Sequence, residues 1–353
     1  MNKKNTITKI ILTSTVLSLV SINTVQAVLG SYDEAMEIRR LLTATTPYLQ
    51  KVPLVKTQSQ GGQETIVLPV SRGFNQKETG LCWAYAALNA LETIYMVRNP
   101  EGLEVELSRR AMQYYTMEDR YRRFIKNVNT HLNERGVVLD AIRLIQSNGI
   151  VSFDDYFDII DPYGQANIHE MINSSDSFTD KINAMYKGMD IFYKTPPTLS
   201  HIPSSPTLDN PDPTYVEVKA GDLARLVLAG DVWQSYAPSE TKVGFHDHPD
   251  SDSRWENKSW YMPRGEFPGR IKQALEAGFP VIVTIRGHTV LVYGADYDGN
   301  GSPVTYYIKD SYPSHTPENL EALGGFKYIK DYCFLAEADK LHEIFWEMTT
   351  VKL

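Results

Sequence analysis

The chain has 353 residues, enough for one large domain or two moderate ones, and its 42% hydrophobic content predicts a packed core. Its formal net charge is −8. Because binding to nucleic-acid phosphates needs clustered lysine and arginine, this acidic balance argues against a nucleic-acid partner.

The first 27 residues have the pattern of an export signal. The apolar run IILTSTVLSLVSI is preceded by three lysines, Lys3, Lys4 and Lys9. After it, Val25 and Ala27 stand at the small-residue positions that precede a signal-peptide cleavage site. We expect cleavage after Ala27 and a secreted or periplasmic protein, with a membrane anchor as the alternative. No later segment reaches about 18 apolar residues, so no membrane contact is expected once the signal is removed.

Residues 28–62 predict a short segment ahead of the main domain. SYDEAMEIRRLL places apolar residues on one helical face, and TQSQGGQET follows as an accessible linker. We expect a propeptide that an activating protease removes, with an N-terminal arm packed on the body as the alternative. Residues 63–353 form the expected main domain, and we expect a monomer.

Helical patterns come first in the main domain and strand patterns later. Helices are predicted over 82–99, 107–127, 138–148, 176–192, 269–278 and, at the C-terminus, 336–348. Strands are predicted over 280–285, 288–297 and 303–312. Residues 195–265 are rich in Pro, Ser and Asp, which predicts a loop-rich insertion with one short helix, 220–230. This order predicts an α+β fold whose two halves meet at a cleft.

Cys82 has the sequence surroundings of a reactive thiol. A thiol attacks a carbonyl only as thiolate, and a helix N-terminus or a neighbouring imidazole lowers its pKa. Cys82 begins a predicted helix. His288 opens one predicted strand and Asp310 closes the next, so an antiparallel hairpin places them side by side. The side-chain amide of Gln76 and the N–H of Cys82 would donate to the oxyanion that the attack creates.

The segment Gln76-Lys-Glu-Thr-Gly-Leu-Cys82-Trp resembles the active-site segment of papain-like cysteine peptidases, in which a glutamine precedes the Cys-Trp pair by six residues. GVVLDAIRLIQSNGI, GHTVLVYG and YYIKDSY are similar to further landmarks of that family. The resemblance implies a two-lobed α+β fold with a helical left lobe, an antiparallel β right lobe and the active site between them. It also implies hydrolysis of peptide or protein substrates through Cys82, His288 and Asp310, with no cofactor. The implied substrate-binding residues are Gly80, Trp83, Gly136 and Gly287.

The chain departs from the family pattern at several positions. Thr79 and Asn133 stand where the family has a disulfide, and Arg135 stands where it has a second glycine before Gly136. Asp310 replaces the usual Asn, as in bacterial peptidases with a Cys-His-Asp triad, and Tyr312 replaces a tryptophan. His288 follows Cys82 by 206 positions, against about 130–150 in the family, an excess that the 195–265 insertion explains.

Each of these residues also has a plain structural interpretation. Cys82 is alternatively an inert core thiol or a disulfide partner of Cys333. His288 is alternatively a histidine at a strand edge, and Asp310 is alternatively the cap of a turn. If the triad is real, an acyltransferase, a deamidase or a transglutaminase-like enzyme is the alternative to a peptidase. A catalytically silent binding protein on the same scaffold is the alternative from another class.

Two segments carry weaker metal-binding patterns. DYDGNG matches the opening of a calcium loop, but Tyr307 stands where the closing Glu belongs, so a hairpin turn is favoured. The calcium-like positions are Asp296, Asp298, Asn300 and Gly301. HDHPDSD offers His246, His248 and Asp250, whose polar context favours a solvated loop. We therefore expect no metal site.

Overall fold

The computed structural model describes one compact unit within residues 51–353. The described residues are 55–58, 63–77, 79–100, 104–127, 132, 134–157, 164–203, 215–239, 260–285, 288–312, 326–330 and 332–353. The predicted export signal, most of the predicted propeptide, Gly287 and the HDHPDSD segment lie outside them. None of the described helices is both long and apolar enough to cross a membrane.

Helices form the first half of the unit, as the patterns predict. They are α1 Cys82–Arg98, α2 Arg109–Ile125, α3 Val138–Asn148, α4 Gly164–Asn173, α5 Phe178–Phe192 and, later, α6 Ala220–Leu228. Ser108 begins α2 by accepting the N–H of Ala111 at 3.1 Å. Gly149 ends α3 at φ +82°, and a Cβ there would lie 2.7 Å from the carbonyl carbon of Ala220, so both conformation and space require glycine. The ends of the helices predicted in this half are right to within a few residues, whereas α4 was not predicted.

Strands dominate the second half. β1 Val55–Gln58 and β2 Glu64–Val67 precede the helices. After α5 come β3 Leu199–Pro203 and β4 Tyr215–Lys219, and after α6 come β5 Trp233–Pro238 and β6 Trp260–Met262. Then follow α7 Phe267–Glu276, β7 Val281–Ile285, β8 His288–Tyr297, β9 Pro303–Lys309, β10 Lys327–Lys330, β11 Cys333–Glu337, α8 Ala338–Ile344 and β12 Phe345–Val351. The main sheet has the order β10-β11-β9-β8-β7-β12-β5-β6, and β3 pairs with β4 alone.

The ten-residue strand β8 organises the main sheet. β9 pairs along one of its edges. Its other edge is shared, because β7 pairs with residues 288–292 and β2 with residues 294–297. β1, which belongs to the segment predicted as a propeptide, pairs with β2 and so extends the sheet. The described part of that segment is thus attached to the main sheet.

Two apolar surfaces hold the main sheet against helices. One face of the main sheet packs on α7 and α8 and buries Val283, Val292, Ile308, Phe345 and Met348. On the helical side α1 is buried nearly all round, because it packs against β7 and β8 and also contacts α3 and α6. This helix therefore packs against both the helical half and the strand half. Its first residue, Cys82, lies beside the start of β8.

The structure corrects two element predictions. The region 195–265 does contain the predicted short helix, α6, but it is no mere loop insertion, since its described parts include the β3–β4 hairpin and strands β5 and β6 of the main sheet. The predicted terminal helix over 336–348 ends at Ile344, and β12 follows. β12 lies between β5 and β7, where Phe345 and Met348 are fully buried.

Candidate active site

Cys82 is the first residue of α1 and is partly exposed. Burial raises the pKa of its thiol, but a hydrogen bond to His288 and the charge of that imidazole outweigh this, so the pKa is lowered overall. The backbone and the hydroxyl of Thr289 also hydrogen-bond the sulfur and favour its charged form. The site therefore stabilises a thiolate, the form that attacks carbonyl carbon.

His288 bridges the thiol and a buried carboxylate. Its Nε2–H donates to Asp310 Oδ1 at 2.7 Å, and the His288 side chain is 16% exposed whereas the Asp310 carboxylate is 0% exposed. Burial alone disfavours the imidazolium, but Asp310 and Cys82 together raise the pKa of His288 to about 10. Near neutral pH the imidazole is thus held in its protonated form, and its charge favours the thiolate form of Cys82. The predicted adjacency of His288 and Asp310 is confirmed.

Asp310 is fixed by the backbone that follows it. Its Oδ1 accepts the N–H of Ser311 at 2.6 Å and that of Tyr312 at 3.1 Å, and its own N–H donates to the carbonyl of Tyr332 at 2.9 Å. The Tyr312 ring stands 6.1 Å from the imidazole of His288 at an interplanar angle of 60°. The carboxylate and the ring together fix the plane of the imidazole.

The side chain of Gln76 is held by the residue that follows Asp310. Ser311 Oγ donates to Gln76 Oε1 at 2.6 Å, and the Gln76 N–H donates to the Ser311 carbonyl at 2.7 Å. Gln76 Nε2 donates to the carbonyl of Thr79 at 2.8 Å. Because Oε1 accepts the hydrogen bond from the Ser311 hydroxyl, the amide orientation is fixed. Its nitrogen faces the segment that precedes Cys82.

Residues 134–136 form the wall next to the Gly80 segment. Trp83 Nε1 donates to the Glu134 carbonyl at 2.9 Å, and a Cβ on Gly136 would meet the Trp83 ring at 2.7 Å. The Glu134 carboxylate accepts the N–H of Gly80 at 3.3 Å and the amide of Gln113 at 2.7 Å. Burial raises the pKa of Glu134, although these donors lower it. Glu134 thereby ties together the two segments that a disulfide joins in the family resemblance.

The predicted site residues fall into two groups in the structure. Seven of them lie on the 76–83, 134–136 and 288–310 segments that meet at Cys82: Gln76, Gly80, Cys82, Trp83, Gly136, His288 and Asp310. Gly287 lies outside the described residues. Neither Cys82 nor Cys333 forms a disulfide, and Cys333 is buried in β11, so the alternative of a bridge between them is not realised.

Three residues of the site were not predicted from the sequence. Thr289 contacts the Cys82 sulfur, Ser311 holds Gln76, and Glu134 joins the two walls. Thr289 and Ser311 each directly follow a predicted triad residue, which is the only signal that could have found them. Glu134 has no such signal, because its contacts depend on how two distant loops meet.

The weaker metal pattern at DYDGNG forms the hairpin turn that the sequence favours. Asp298 Oδ1 accepts the N–H groups of Asn300 and Ser302 at 2.9 and 2.8 Å. Asp296 instead accepts the hydroxyls of Thr65 and Tyr307. These carboxylates therefore stabilise the turn and the neighbouring strands.

Comparison with solved structures identifies the fold as that of papain-like cysteine peptidases. PepW, a cysteine peptidase of Lactobacillus rhamnosis, matches with a TM-score of 0.55 and 14% identity, over 94% of this chain and 92% of that one. A structure on the mite allergens Blo t 1 and Der p 1 matches at TM-score 0.39 and 13% identity, over 80% of this chain and 67% of that one. Bromelain of Ananas comosus, in complex with the inhibitor E64, matches at TM-score 0.38 and 12% identity, over 80% and 94%.

The sequence comparisons give no match. No protein-family model matches the chain, and neither does any curated protein. The papain-like fold is thus established through its three-dimensional likeness to PepW and not through sequence similarity.

Proposed function

We propose that the protein is an exported cysteine peptidase that hydrolyses peptide bonds through Cys82, His288 and Asp310. The observation that carries this proposal is the continuous chain of hydrogen bonds from the Cys82 sulfur through the His288 imidazole to the buried Asp310 carboxylate. It supplies a nucleophile, a proton carrier and an orienting group in one line. The papain-like fold supports the same assignment.

In the first step the Cys82 thiolate attacks the carbonyl carbon of the scissile amide. The carbonyl oxygen becomes an oxyanion, and the second hydrogen of Gln76 Nε2 and the N–H of Cys82 are the donors that would stabilise it. The His288 imidazolium then gives its proton to the leaving amine, which departs and leaves a thioester on Cys82. The carbon–nitrogen bond of the amide breaks, whereas the newly formed carbon–sulfur bond is kept.

In the second step water resolves the thioester. Neutral His288 takes a proton from the water molecule, whose oxygen attacks the thioester carbonyl. Collapse of the second oxyanion releases the carboxylic acid product and returns the sulfur as thiolate and His288 as imidazolium. Throughout both steps Asp310 holds the ring in the tautomer that carries a proton on Nε2.

Digestion of a peptide library under reducing conditions tests the proposal. We expect cleavage by the wild-type protein and loss of at least about 10³-fold in rate with Cys82→Ala or His288→Ala. Cys333→Ala is the matched control, since it removes the chain's other cysteine, and should retain the wild-type rate. A Cys82→Ala variant that still cleaves at the wild-type rate would refute the proposal.

The same digests separate the alternatives. Product masses that carry a transferred amine, or a glutamine converted to glutamate without chain cleavage, would indicate an acyltransferase or a deamidase. If an electrophilic, thiol-directed peptidase probe leaves Cys82 unlabelled in processed protein, the silent binding protein becomes the better description.

We further propose that the protein is exported by its first 27 residues and is made as a monomeric zymogen whose N-terminal segment ends near residue 62. β1 pairs with β2 and extends the sheet. Cleavage at 59–62 would break the covalent link between β1 and β2, and β1 could then dissociate from the sheet. Comparing peptidase rates before and after limited proteolysis there tests the proposal, and equal rates would contradict it. N-terminal sequencing of exported protein, expected to begin at Val28, tests the signal.

A further inference from the structure

A second cleft lies among the helices, between α2, the end of α3 and the start of α6. Its volume is about 490 Å³, which is within the range of roughly 300–1,000 Å³ that small-molecule sites occupy. All of its lining residues belong to the described part of the chain, and none of them belongs to the candidate active site. The cleft is therefore large enough to hold a small ligand apart from Cys82.

Apolar side chains form much of the wall of this cleft. The rings of Tyr114 and Tyr115, at consecutive positions of α2, stand 5.9 Å apart at an interplanar angle of 90°. Pro196, Pro197 and Leu199, at and just before the start of β3, line the same cleft. Leu199 is still 40% exposed. An apolar group of a ligand would therefore lose contact with water on entering the cleft, which favours its binding.

Tyr115 is a buried residue whose hydroxyl has no partner. The residue is 8% exposed, and its hydroxyl forms no hydrogen bond with any residue that the structure describes, although solvent reaches the oxygen. Because Tyr115 lines the cleft, the oxygen is open to the cleft. Burial raises the pKa of Tyr115 to about 12, so the hydroxyl keeps its proton at neutral pH. Since buried polar groups are normally hydrogen-bonded, this hydroxyl is a donor in need of an acceptor.

The start of α6 adds a backbone donor to the cleft. Lys219, the residue before the helix, does not cap it with its side chain. The Ala220 N–H donates to the Thr198 carbonyl at 2.9 Å, but the Gly221 N–H forms no hydrogen bond within the described ranges. A Cβ on Gly221 would meet nothing within 4 Å, so a ligand can approach this N–H. Such N–H groups at the start of a helix favour an anion.

The charged groups around the cleft favour a carboxylate in the same place. Lys219 lines the cleft and forms no ion pair among the described residues. The acidic groups nearby are already engaged. Glu118, which also lines the cleft, is paired with Arg122 at 3.0 Å, and Asp222 is paired with Arg225. The ammonium of Lys219 is therefore the charge that is left for a ligand.

We propose that this cleft is a second binding site, for a carboxylate joined to an apolar or aromatic side chain, as at the C-terminus of a peptide or in a free amino acid. The open donors are the Tyr115 hydroxyl, the Gly221 N–H and the Lys219 ammonium, and a carboxylate supplies only acceptors. The apolar wall takes the side chain. The proposal does not depend on the proposed peptidase function, because the two sites share no residue.

Isothermal titration calorimetry with the full chain and four probes tests the proposal. N-acetylphenylalanine supplies both the carboxylate and the ring, its primary amide lacks the charge, and acetate lacks the ring. We expect N-acetylphenylalanine to bind at least about ten-fold more tightly than either of these two. Phenylalanine adds a free ammonium group. If it binds at least as tightly as N-acetylphenylalanine, the ligand is a free amino acid, and if it binds more weakly, the ligand is the C-terminus of a peptide.

Variants locate the binding. Tyr115→Phe removes one oxygen atom and keeps the ring, and it should weaken N-acetylphenylalanine about ten-fold, as for a lost hydrogen bond to a charged group. Lys219→Gln should weaken it about three-fold. Lys340→Gln, which removes an exposed lysine on α8, is the control and should bind as the wild-type protein does. No binding of N-acetylphenylalanine up to about 10 mM, equal binding of its amide, or an unchanged affinity in Tyr115→Phe would overturn the proposal.

Discussion

Asp310→Asn isolates the charge of the third triad residue from its geometry. The amide oxygen of asparagine can still accept from His288 Nε2 and from the N–H groups of Ser311 and Tyr312, as Asp310 Oδ1 does at 2.6–3.1 Å. The negative charge is lost. Since the family resemblance has asparagine at this position, we expect the variant to fold.

The magnitude follows from the pKa of His288. Burial lowers this pKa, and Asp310 and Cys82 raise it; the net rise from 6.5 to about 10 corresponds to roughly 5 kcal/mol. Asp310 is the larger contributor, so its neutralisation should lower the pKa of His288 by about 2 pH units. Activity needs the imidazolium and the thiolate together. It therefore rises with pH through the lowered pKa of Cys82 and falls through that of His288.

The assay is kcat/KM against pH from about 4 to 11 with one peptide. In the wild-type protein we expect the alkaline limb near pH 10, where His288 loses its proton, and in Asp310→Asn near pH 8. Asp298→Asn, in the exposed turn before β9, is the control and should keep the wild-type profile. An alkaline limb that does not move in Asp310→Asn would refute the idea that the charge of Asp310 sets the pKa of His288.

Further predictions concern the supporting contacts. Gly136→Ala forces a methyl group to within 2.7 Å of the Trp83 ring and should lower the free energy of unfolding in urea by about 1–3 kcal/mol; an unchanged value would show that the ring moves freely. Ser311→Ala releases Gln76 Oε1 and should lower kcat about ten-fold with KM little changed, whereas a change in KM alone would contradict this positioning role. Burial and nearby carboxylates raise the pKa of Glu104 to about 7, so the protein loses stability as pH rises from about 4.5 to about 7. Glu104→Gln should therefore gain about 1–2 kcal/mol in urea unfolding at pH 8 and nothing at pH 4, and a gain that is equal at both pH values would contradict the shift.

The triad geometry was predictable because it depends on local pattern. The alternation in HTVLVYGADY and PVTYYIK and the turn between them set two paired strands. With Leu291 opposite Lys309, the start of one strand and the end of the other meet at His288 and Asp310. Likewise the helix that begins at Cys82 follows from its own alanines and leucines.

The errors have identifiable physical causes. Phe345 and Met348 are three residues apart, which is helical spacing, and both face the core because the pairing of β12 with β7 is irregular between Phe345 and Glu347. β5 was not predicted because its buried face includes a polar residue, Ser235. Its hydroxyl forms a hydrogen bond of 2.7 Å with the hydroxyl of Thr349 on the neighbouring strand. Such pairing between distant segments leaves no periodic signal in either strand.

The pH dependence of Cys82 alkylation tests the central claim most directly. After reduction, the protein is treated with iodoacetamide at each pH, and the peptides that carry Cys82 and Cys333 are quantified by mass spectrometry, with buried Cys333 as the internal reference. We predict that the alkylation rate of Cys82 rises at a lower pH than that of an ordinary thiol, because His288 outweighs burial and lowers the pKa of Cys82. In His288→Ala burial remains, so the rate should rise only at or above the ordinary thiol pKa of about 8.5. If wild-type Cys82 instead titrates near 8.5, or does not react, no thiolate–imidazolium pair exists and the proposed chemistry is wrong.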